Sequence, residues 1–252
     1  MTTYIKAARL IDCTGAQPML APVIVVDGEY ITRIADAASI EIPLDANVID
    51  CGQDTLMAGL IDSHIHVGED ARRDESVKQQ HLQPDGLRAI RGAVTLKDDL
   101  MCGVTSARAL GDGTGCVDVI LRDAINRGEI TGPRLQVAAQ AIRPSNGTAP
   151  EIGVVADGED EMRKAVRRAI FNGADVIKLF ISNVSRGETY LDYLKGDLTQ
   201  VSAYTKRELE VAVEEAHRCG IKVAGHCIGG DVVKWALEAG LASLEHANLI
   251  EE

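Results

Sequence analysis

Residues 59–66 read Gly-Leu-Ile-Asp-Ser-His-Ile-His, an apolar run that ends in two histidines separated by one residue. On a β-strand the side chains alternate between two faces, so His64 and His66 would point the same way. Two imidazoles on one side of a strand can bind one metal ion. A divalent ion makes hydroxide available near neutral pH, so the pattern indicates hydrolytic or deaminating chemistry.

Three further residues could take part in the same chemistry. Lys178 lies in Ala-Asp-Val-Ile-Lys-Leu-Phe-Ile, a candidate strand that is apolar on both faces. A buried ammonium is costly, so Lys178 needs a partner, a lowered pKa or chemical modification. His226 and His246 each end a candidate strand. Parallel folds carry their chemistry at such strand ends, so both imidazoles could reach one metal.

Each of these features also has an ordinary interpretation. A lone histidine at a strand end is usually a hydrogen-bonded core residue, Lys178 could be an ion-paired structural lysine, and His-x-His alone is a weak motif. Coincidence is disfavoured because all of them fall at strand ends of βα units. The other two histidines fit the ordinary interpretation, since His217 lies late in a helix. His81, in a polar loop, could reach an active site over the first strand, but we expect it to be exposed to solvent.

The elements that must position these residues fall into two parts. Residues 1–55 predict a small all-β unit, in which strands 23–26 and 30–34 flank an Asp27-Gly28 hairpin signal and 47–50 forms another strand. The unit is too small to bury a good core alone.

From residue 56 to residue 252, apolar strands alternate with amphipathic helices. The strand candidates are 56–65, 104–109, 134–141, 174–181, 221–226 and 242–247. The helix candidates are 84–101, 116–127, 159–172, 205–219 and 229–239. Thr205 followed by Glu208 is a capping box, which predicts a helix start. The alternation predicts an α/β fold of parallel strands with right-handed crossovers. An eight-stranded barrel needs about 250 residues, so six strands favour the front part of a longer protein over an open sheet.

Composition and charge exclude several classes of partner. The formal net charge is −12, and no run of lysine or arginine stands out, which argues against nucleic acid or an anionic membrane. No signal peptide or membrane-spanning stretch is recognisable, and the six cysteines show no paired short spacing. We therefore expect a cytoplasmic protein with reduced thiols and a small-molecule substrate.

The chain resembles the amidohydrolase superfamily, and more narrowly its imidazolonepropionase and Xaa-Pro dipeptidase (prolidase)-like branch. The resemblance rests on the order of these motifs: Ala8–Asp12, Met57–His66, Gly103–Thr105, Gly132–Leu135, Val176–Leu179, Glu214–Arg218, Gly225-His226 and Ser243–His246. It implies a (β/α)₈ metal-dependent hydrolase barrel, of which residues 56–252 would supply strands one to six. It also implies a β-sandwich domain, to which residues 1–55 would contribute the N-terminal portion.

The resemblance also implies roles for individual residues. His64 and His66 would bind a first metal ion, His226 and His246 a second, and Lys178, carboxylated by carbon dioxide, would bridge the two. Zinc is the default metal for such a site. The reaction implied is hydrolysis of an amide bond in a dipeptide or N-acyl amino acid by a metal-bridging hydroxide.

Two positions mark the limits of the match. The aspartate that acts as general acid/base in the family follows strand eight, beyond residue 252. Tyr204 matches a tyrosine near the substrate carboxylate in relatives, although an ordinary loop aromatic is an equal alternative.

Two alternative functions remain open. One is a cyclic-amide hydrolase or deaminase with one metal, as in imidazolonepropionase, against which the bridging role of Lys178 counts. The other is a non-enzymatic relative that keeps the barrel as a binding module. Sheet edges left unpaired would be an aggregation hazard, so we expect the isolated chain to be poorly soluble or to need a partner that covers them. We also expect a homo-oligomer.

Overall fold

The computed structural model describes residues 2–113, 115–182 and 201–250. The chain divides into two compact units, Met1–Gly59 and Leu60–Glu252, which are described separately. The division follows Gly59, whereas the sequence pattern placed it after residue 55. Within the described residues, no helix is long and apolar enough to cross a membrane.

The first unit consists of two small sheets. Its strands are β1 (Thr2–Lys6), β2 (Arg9–Ile11), β3 (Met19–Leu20), β4 (Pro22–Asp27), β5 (Tyr30–Asp36), β6 (Asn47–Asp50) and β7 (Thr55–Met57). One sheet has the order β5-β4-β1-β6 and the other β3-β2-β7. A short 3₁₀ helix, Ala37–Ser39, follows β5. The predicted hairpin and the strand at 47–50 are both present.

The turn of the β4–β5 hairpin differs from the prediction by one residue. Asp27 pairs with Tyr30, so the two turn residues are Gly28 and Glu29. Gly28 has a φ of +60°, which suits the first central position of a type II′ turn. Asp27 stays in the ladder because it also pairs with Thr2 of β1.

The second unit alternates strands and helices. Its elements are β8 (Leu60–Ile65), α1 (Val77–His81), α2 (Asp85–Met101), β9 (Val104–Ala109), α3 (Val117–Asn126), β10 (Arg134–Val137), β11 (Ala141–Arg143), β12 (Gly153–Val155), α4 (Gly158–Phe171), β13 (Val176–Phe180), α5 (Lys206–His217), β14 (Lys222–Gly229), α6 (Val232–Ala239) and β15 (Ser243–Leu249). Every pairing between these strands is parallel, which confirms the predicted α/β fold class.

Two predicted strands are divided in the structure. The candidate 56–65 is split at Ala58-Gly59, because Thr55–Met57 pairs with β2 of the first unit. The candidate 134–141 is broken into β10 and β11, since Ala139 between them has a left-handed φ of +58°. The Asp175 amide donates to the Val137 carbonyl at 2.7 Å across this break. Counting β10 and β11 as one interrupted strand, the order β8-β9-β10/β11-β13-β14-β15 follows the chain, as in the first six strands of a barrel.

Local sequence signals explain why the helices lie on this sheet. Thr205 accepts a hydrogen bond from the Glu208 amide, and the Glu208 side chain accepts one from the Thr205 amide, so the predicted capping box forms. The buried face of α5 includes Leu209, Val213 and Ala216. These side chains join the largest apolar cluster of the unit, together with residues of β13 and β14. The core that holds the strands in place is therefore largely aliphatic.

Candidate metal centre

The two histidines of the His-x-His pair lie at the carboxyl end of β8. His64 is in the strand and His66 follows its last residue. Their ring centroids are 5.4 Å apart. The alternation of side chains along a strand places both rings on one side, as the sequence pattern predicted.

His226 and His246 lie on β14 and β15, which continue three and two residues, respectively, beyond the ends predicted for them. The His246 ring is 4.7 Å from His226 and 4.9 Å from His64, measured between centroids. His246 and Ala247 have φ values of +72° and +51°, so β15 is kinked at this residue. Strained backbone of this kind clusters at functional sites. The structure thus brings together the four predicted histidines from β8, β14 and β15.

Lys178 lies in the middle of β13, where all five residues are buried. It is 0 % exposed and is the largest fully buried side chain among the described residues. Its Nζ lies 5.3 Å from the centroid of the Phe180 ring, and among the described residues it has no hydrogen-bond partner. Burial lowers the pKa of Lys178 from 10.5 to about 7, against the opposing effect of Glu245. Of the three possibilities that the sequence left open for a buried lysine, the structure therefore shows the lowered pKa.

Hydrogen bonds orient the histidines of β8. The Nδ1 atom of His64 is 3.0 Å from Glu245 Oε2, and Arg108 donates to Glu245 Oε1 at 2.7 Å. The Nδ1 atom of His66 is 2.8 Å from the Gly111 carbonyl oxygen. Metal-bound histidines are commonly held through their other ring nitrogen by a carboxylate or a backbone carbonyl. Both imidazoles are therefore arranged to present Nε2.

The protonation of the imidazoles also suits a metal ion. Burial lowers the pKa of His66 from 6.5 to about 4 and the pKa of His226 well below 6.5. The pKa of His246 is lowered as well, again chiefly by burial. A histidine binds metal in its neutral form. These three side chains are accordingly in the ligating form near neutral pH.

Two buried polar atoms without a hydrogen-bond partner among the described residues indicate whether these side chains fit a metal ion. His226 Nε2 and Lys178 Nζ are buried without a hydrogen-bond partner in the described part of the chain. Buried polar atoms are normally paired, so such exceptions indicate a missing ligand or ion. No three described histidine, cysteine or acidic side chains are grouped closely enough to hold an ion by themselves. The unpartnered Nζ of Lys178 lies in the same cavity as the four histidines, and we call His64, His66, Lys178, His226 and His246 the histidine–lysine cluster.

The cluster opens into a cavity of about 510 Å³. The described residues that line it are the histidine–lysine cluster, Glu69, Val77, His81, Thr148, Ala149, Glu151, Ile152 and Phe180. Tyr204 is not among them, because it is 3 % exposed in the core and its Oη donates to the Ala156 carbonyl at 3.0 Å. The predicted contact of Tyr204 with substrate stays a prediction without support from this geometry.

The prediction that His81 is solvent-exposed is wrong. His81 is 8 % exposed, ends α1 and lines the cavity. Its Nε2 is 2.5 Å from Glu69 Oε1, and its Nδ1 is 3.4 Å from Arg88 Nη2. Arg88 also binds the carboxylate of Asp112. We call Glu69, His81, Arg88 and Asp112 the Arg88 network.

Sequence reasoning missed most of this network. A signal was available, because Glu69 and Asp112 follow the ends of β8 and β9, where parallel folds place functional side chains. His217, by contrast, is exposed at the end of α5, as expected.

Comparisons with known proteins place the chain among hydrolases. Residues 55–252 match the model of the amidohydrolase family. Ochratoxinase from Aspergillus niger is 30 % identical over 283 aligned residues, which cover 99 % of this chain and 55 % of that protein. The chain thus spans about half the length of the curated relatives it matches.

Solved structures agree with this assignment. The crystal structure of A. niger ochratoxinase superposes with a TM-score of 0.83 at 28 % identity, over all of this chain and 62 % of that one. A Xaa-Pro dipeptidase with bound methionine in its active site gives a TM-score of 0.79 at 29 % identity, over all of this chain and 63 % of that one. These neighbours confirm that the chain is a partial region of a (β/α) barrel.

Proposed function

The chain belongs to the amidohydrolase family, and from that premise we propose that it hydrolyses an amide bond in a dipeptide or an N-acyl amino acid. The similarity to an ochratoxinase and to a Xaa-Pro dipeptidase supports this class of substrate. The cavity volume of about 510 Å³ suits a small molecule, since such sites span roughly 300–1,000 Å³.

The residues of the histidine–lysine cluster would hold the metal. His64 and His66 would bind one ion, His226 and His246 a second, and a carboxylated Lys178 would bridge them. Zinc suits a set of imidazoles with an oxygen anion. When bound, the ions would supply a nucleophile from water at neutral pH and polarise the amide carbonyl.

The single observation that carries the proposal is the unpartnered Nζ of Lys178. With a pKa of about 7, much of the amine is neutral at neutral pH and can attack carbon dioxide. An N–C bond forms and a proton leaves to solvent, which gives a carbamate with two oxygens and one negative charge. The buried ammonium is thereby replaced by an anion that two cations can neutralise.

Around this centre the chain's own residues orient the donors. Glu245 fixes His64 and is itself held by Arg108. The Gly111 carbonyl fixes His66. Gly111 has a φ of +105°, and a Cβ added to it would lie only 2.7 Å from the Cβ of Ala141. A side chain is therefore excluded from the position that presents this carbonyl.

Metal content measured by elemental analysis tests the proposal. Protein purified without chelator should contain about two divalent ions per chain, and Lys178→Ala should lower that number. The matched control is Lys222→Ala, which removes an exposed lysine at the start of β14. The same proteins, and a version extended to the length of the relatives, would be assayed on dipeptides and N-acyl amino acids. Metal-free preparations without hydrolysis in both lengths would contradict the proposal and favour a binding module.

We further propose that the protein is cytoplasmic and forms a homo-oligomer. Within the described residues, β8 and β15 each pair on one side only. Large apolar side chains on and just after these strands, Ile61 and Ile250, are 75 % and 46 % exposed. Exposed apolar edges favour association. Light scattering coupled to size-exclusion chromatography should show a mass above that of one chain, and a purely monomeric peak would contradict this.

A further inference from the structure

A carboxylate forms part of the cavity wall beside the histidine–lysine cluster. Glu69 lies three residues after His66 and lines the same cavity. The cavity has a second acidic lining residue, Glu151, but its Oε1 is 3.6 Å from Lys78 Nζ, so that charge is already compensated by an exposed lysine. The partner of Glu69 is His81, which also lines the cavity.

The contact with His81 fixes both the position and the hydrogen-bonding role of Glu69. Arg88 Nη2 lies 3.4 Å from His81 Nδ1 on the far side of the ring, and a carboxylate can only accept, so the ring nitrogen that faces Glu69 is the donor. The ring proton then sits on Nε2 and is donated to Glu69 Oε1 at 2.5 Å. A carboxylate that receives this bond on one oxygen still offers the other to a ligand.

Arg88 is in turn anchored on several sides. Its Nη2 donates to the Asp112 carbonyl at 2.7 Å and to the Asp112 carboxylate, and its Nη1 donates to Asp85 at 3.3 Å. Arg88 is 3 % exposed. Groups held this way need little reorganisation when a ligand arrives, which is how binding sites gain selectivity.

We propose that Glu69 binds the free α-ammonium of a dipeptide substrate, with His81 and Arg88 as positioning residues. This rests on the proposed amide hydrolysis and selects between its two substrate classes. A cation that enters a buried site needs an anion, and charge-assisted bonds are roughly twice as strong as neutral ones. An N-acyl amino acid has no ammonium and would leave the carboxylate desolvated and unpaired, which a polar site penalises strongly.

Glycyl dipeptides and the corresponding N-acetyl amino acids provide the test, because each pair differs only by the α-ammonium. With the zinc-supplied protein, kcat/KM should favour the glycyl member by about tenfold or more. Glu69→Gln should reduce that ratio by at least about tenfold, through the glycyl substrate, while the N-acetyl substrate changes less than about threefold. Arg88→Lys should reduce the ratio by a smaller factor, mainly through the KM of the glycyl substrate.

Glu75→Gln is the matched control. Glu75 is in the same loop, pairs with Arg91 at 2.7 Å and lies outside the cavity lining, so the ratio should not change. Thermal unfolding of each variant checks that the fold is intact. The inference is overturned if the wild-type protein prefers the N-acetyl member, or if Glu69→Gln lowers both rates equally.

A binding measurement separates this inference from the proposed function. Calorimetric titration of the protein without added metal should show tighter binding of the glycyl ligand, and Glu69→Gln should abolish that difference. Selective binding without any hydrolysis would contradict the proposed function alone. Hydrolysis with no dependence on Glu69, in rate or in binding, would contradict the inference alone.

Discussion

The histidine–lysine cluster lines the cavity together with Glu69 and His81 of the Arg88 network, but the two regions differ in how their buried polar groups are paired. In the cluster, Lys178 Nζ and His226 Nε2 are buried without a partner among the described residues. In the network, His81 and Arg88 are also buried, but they are joined to Glu69 and Asp112 by short contacts, and Asp112 Oδ2 is the one buried atom of the network without a partner among the described residues. Unpaired buried groups cost free energy that a ligand can recover, whereas paired groups give rigidity. The first region is therefore suited to bind ions and the second to hold its own geometry.

The largest expected effect comes from removing Lys178 from the histidine–lysine cluster. Lys178→Ala deletes the only non-histidine donor of the cluster, and we expect hydrolysis to fall by more than the roughly 10–100-fold typical of outer positioning residues. Bound metal should fall in parallel. Amide hydrolysis and elemental analysis on the same preparations measure both. A variant that keeps full metal content and full rate would show that Lys178 is a structural lysine.

A substitution in the Arg88 network is expected to lower the free energy of unfolding, whereas one in the cluster lowers the metal content. Arg88→Met leaves the Asp112 carboxyl buried without its guanidinium partner; burial already raises the pKa of Asp112 to about 8, so the group stays neutral, and an unsatisfied buried group of this kind costs about 1–3 kcal/mol. The control is Arg91→Met on the same helix, which removes a partly exposed pair with Glu75 and should cost less than about 1 kcal/mol. Denaturant unfolding gives both values. Equal losses in the two variants would contradict the distinction between the regions.

The Arg88 network also shows where sequence reasoning reaches its limit. Lys178, the paired histidines and the bounds of β9 follow from local patterns, and the structure places them as predicted. The burial of His81 depends on Glu69 and Arg88, which lie 12 and 7 residues away in the chain. No local pattern contains that information.

The same argument explains the missed strand break. The left-handed residue Ala139 is held by a hydrogen bond from its amide to the Asp118 carboxylate, 21 residues earlier. An alanine in that conformation is not signalled by its own residue type, so an apolar run such as 134–141 is read as one strand. Long-range contacts override the local preference in both cases.

A milder change tests whether Glu245 orients His64 as a metal ligand. Glu245→Gln keeps the size of the side chain but removes the charge that holds His64 Nδ1, and such substitutions typically weaken metal binding by about 10–100-fold. Competition with a chromogenic chelator measures the affinity. Glu238→Gln, which alters an exposed pair with Lys206, is the control and should leave the affinity unchanged. If both variants bind metal like the wild type, Glu245 does not orient a ligand.

The last expected effect is a pH slope in the metal-free protein. The pKa of Lys178 is about 7 in the folded chain and 10.5 in the unfolded chain, so between these values the unfolded state binds the extra proton. The folded state is therefore penalised fully below pH 7, and the penalty disappears as pH rises towards 10.5. Lys178→Met removes the amine, so the variant should be more stable than the wild type at pH 7. That advantage should shrink by up to about 1.4 kcal/mol per pH unit above it. Denaturant unfolding of chelator-treated proteins at several pH values measures the difference. A pH-independent difference would mean that the buried amine has a partner in the folded protein, and the cluster would then resemble the Arg88 network instead of contrasting with it.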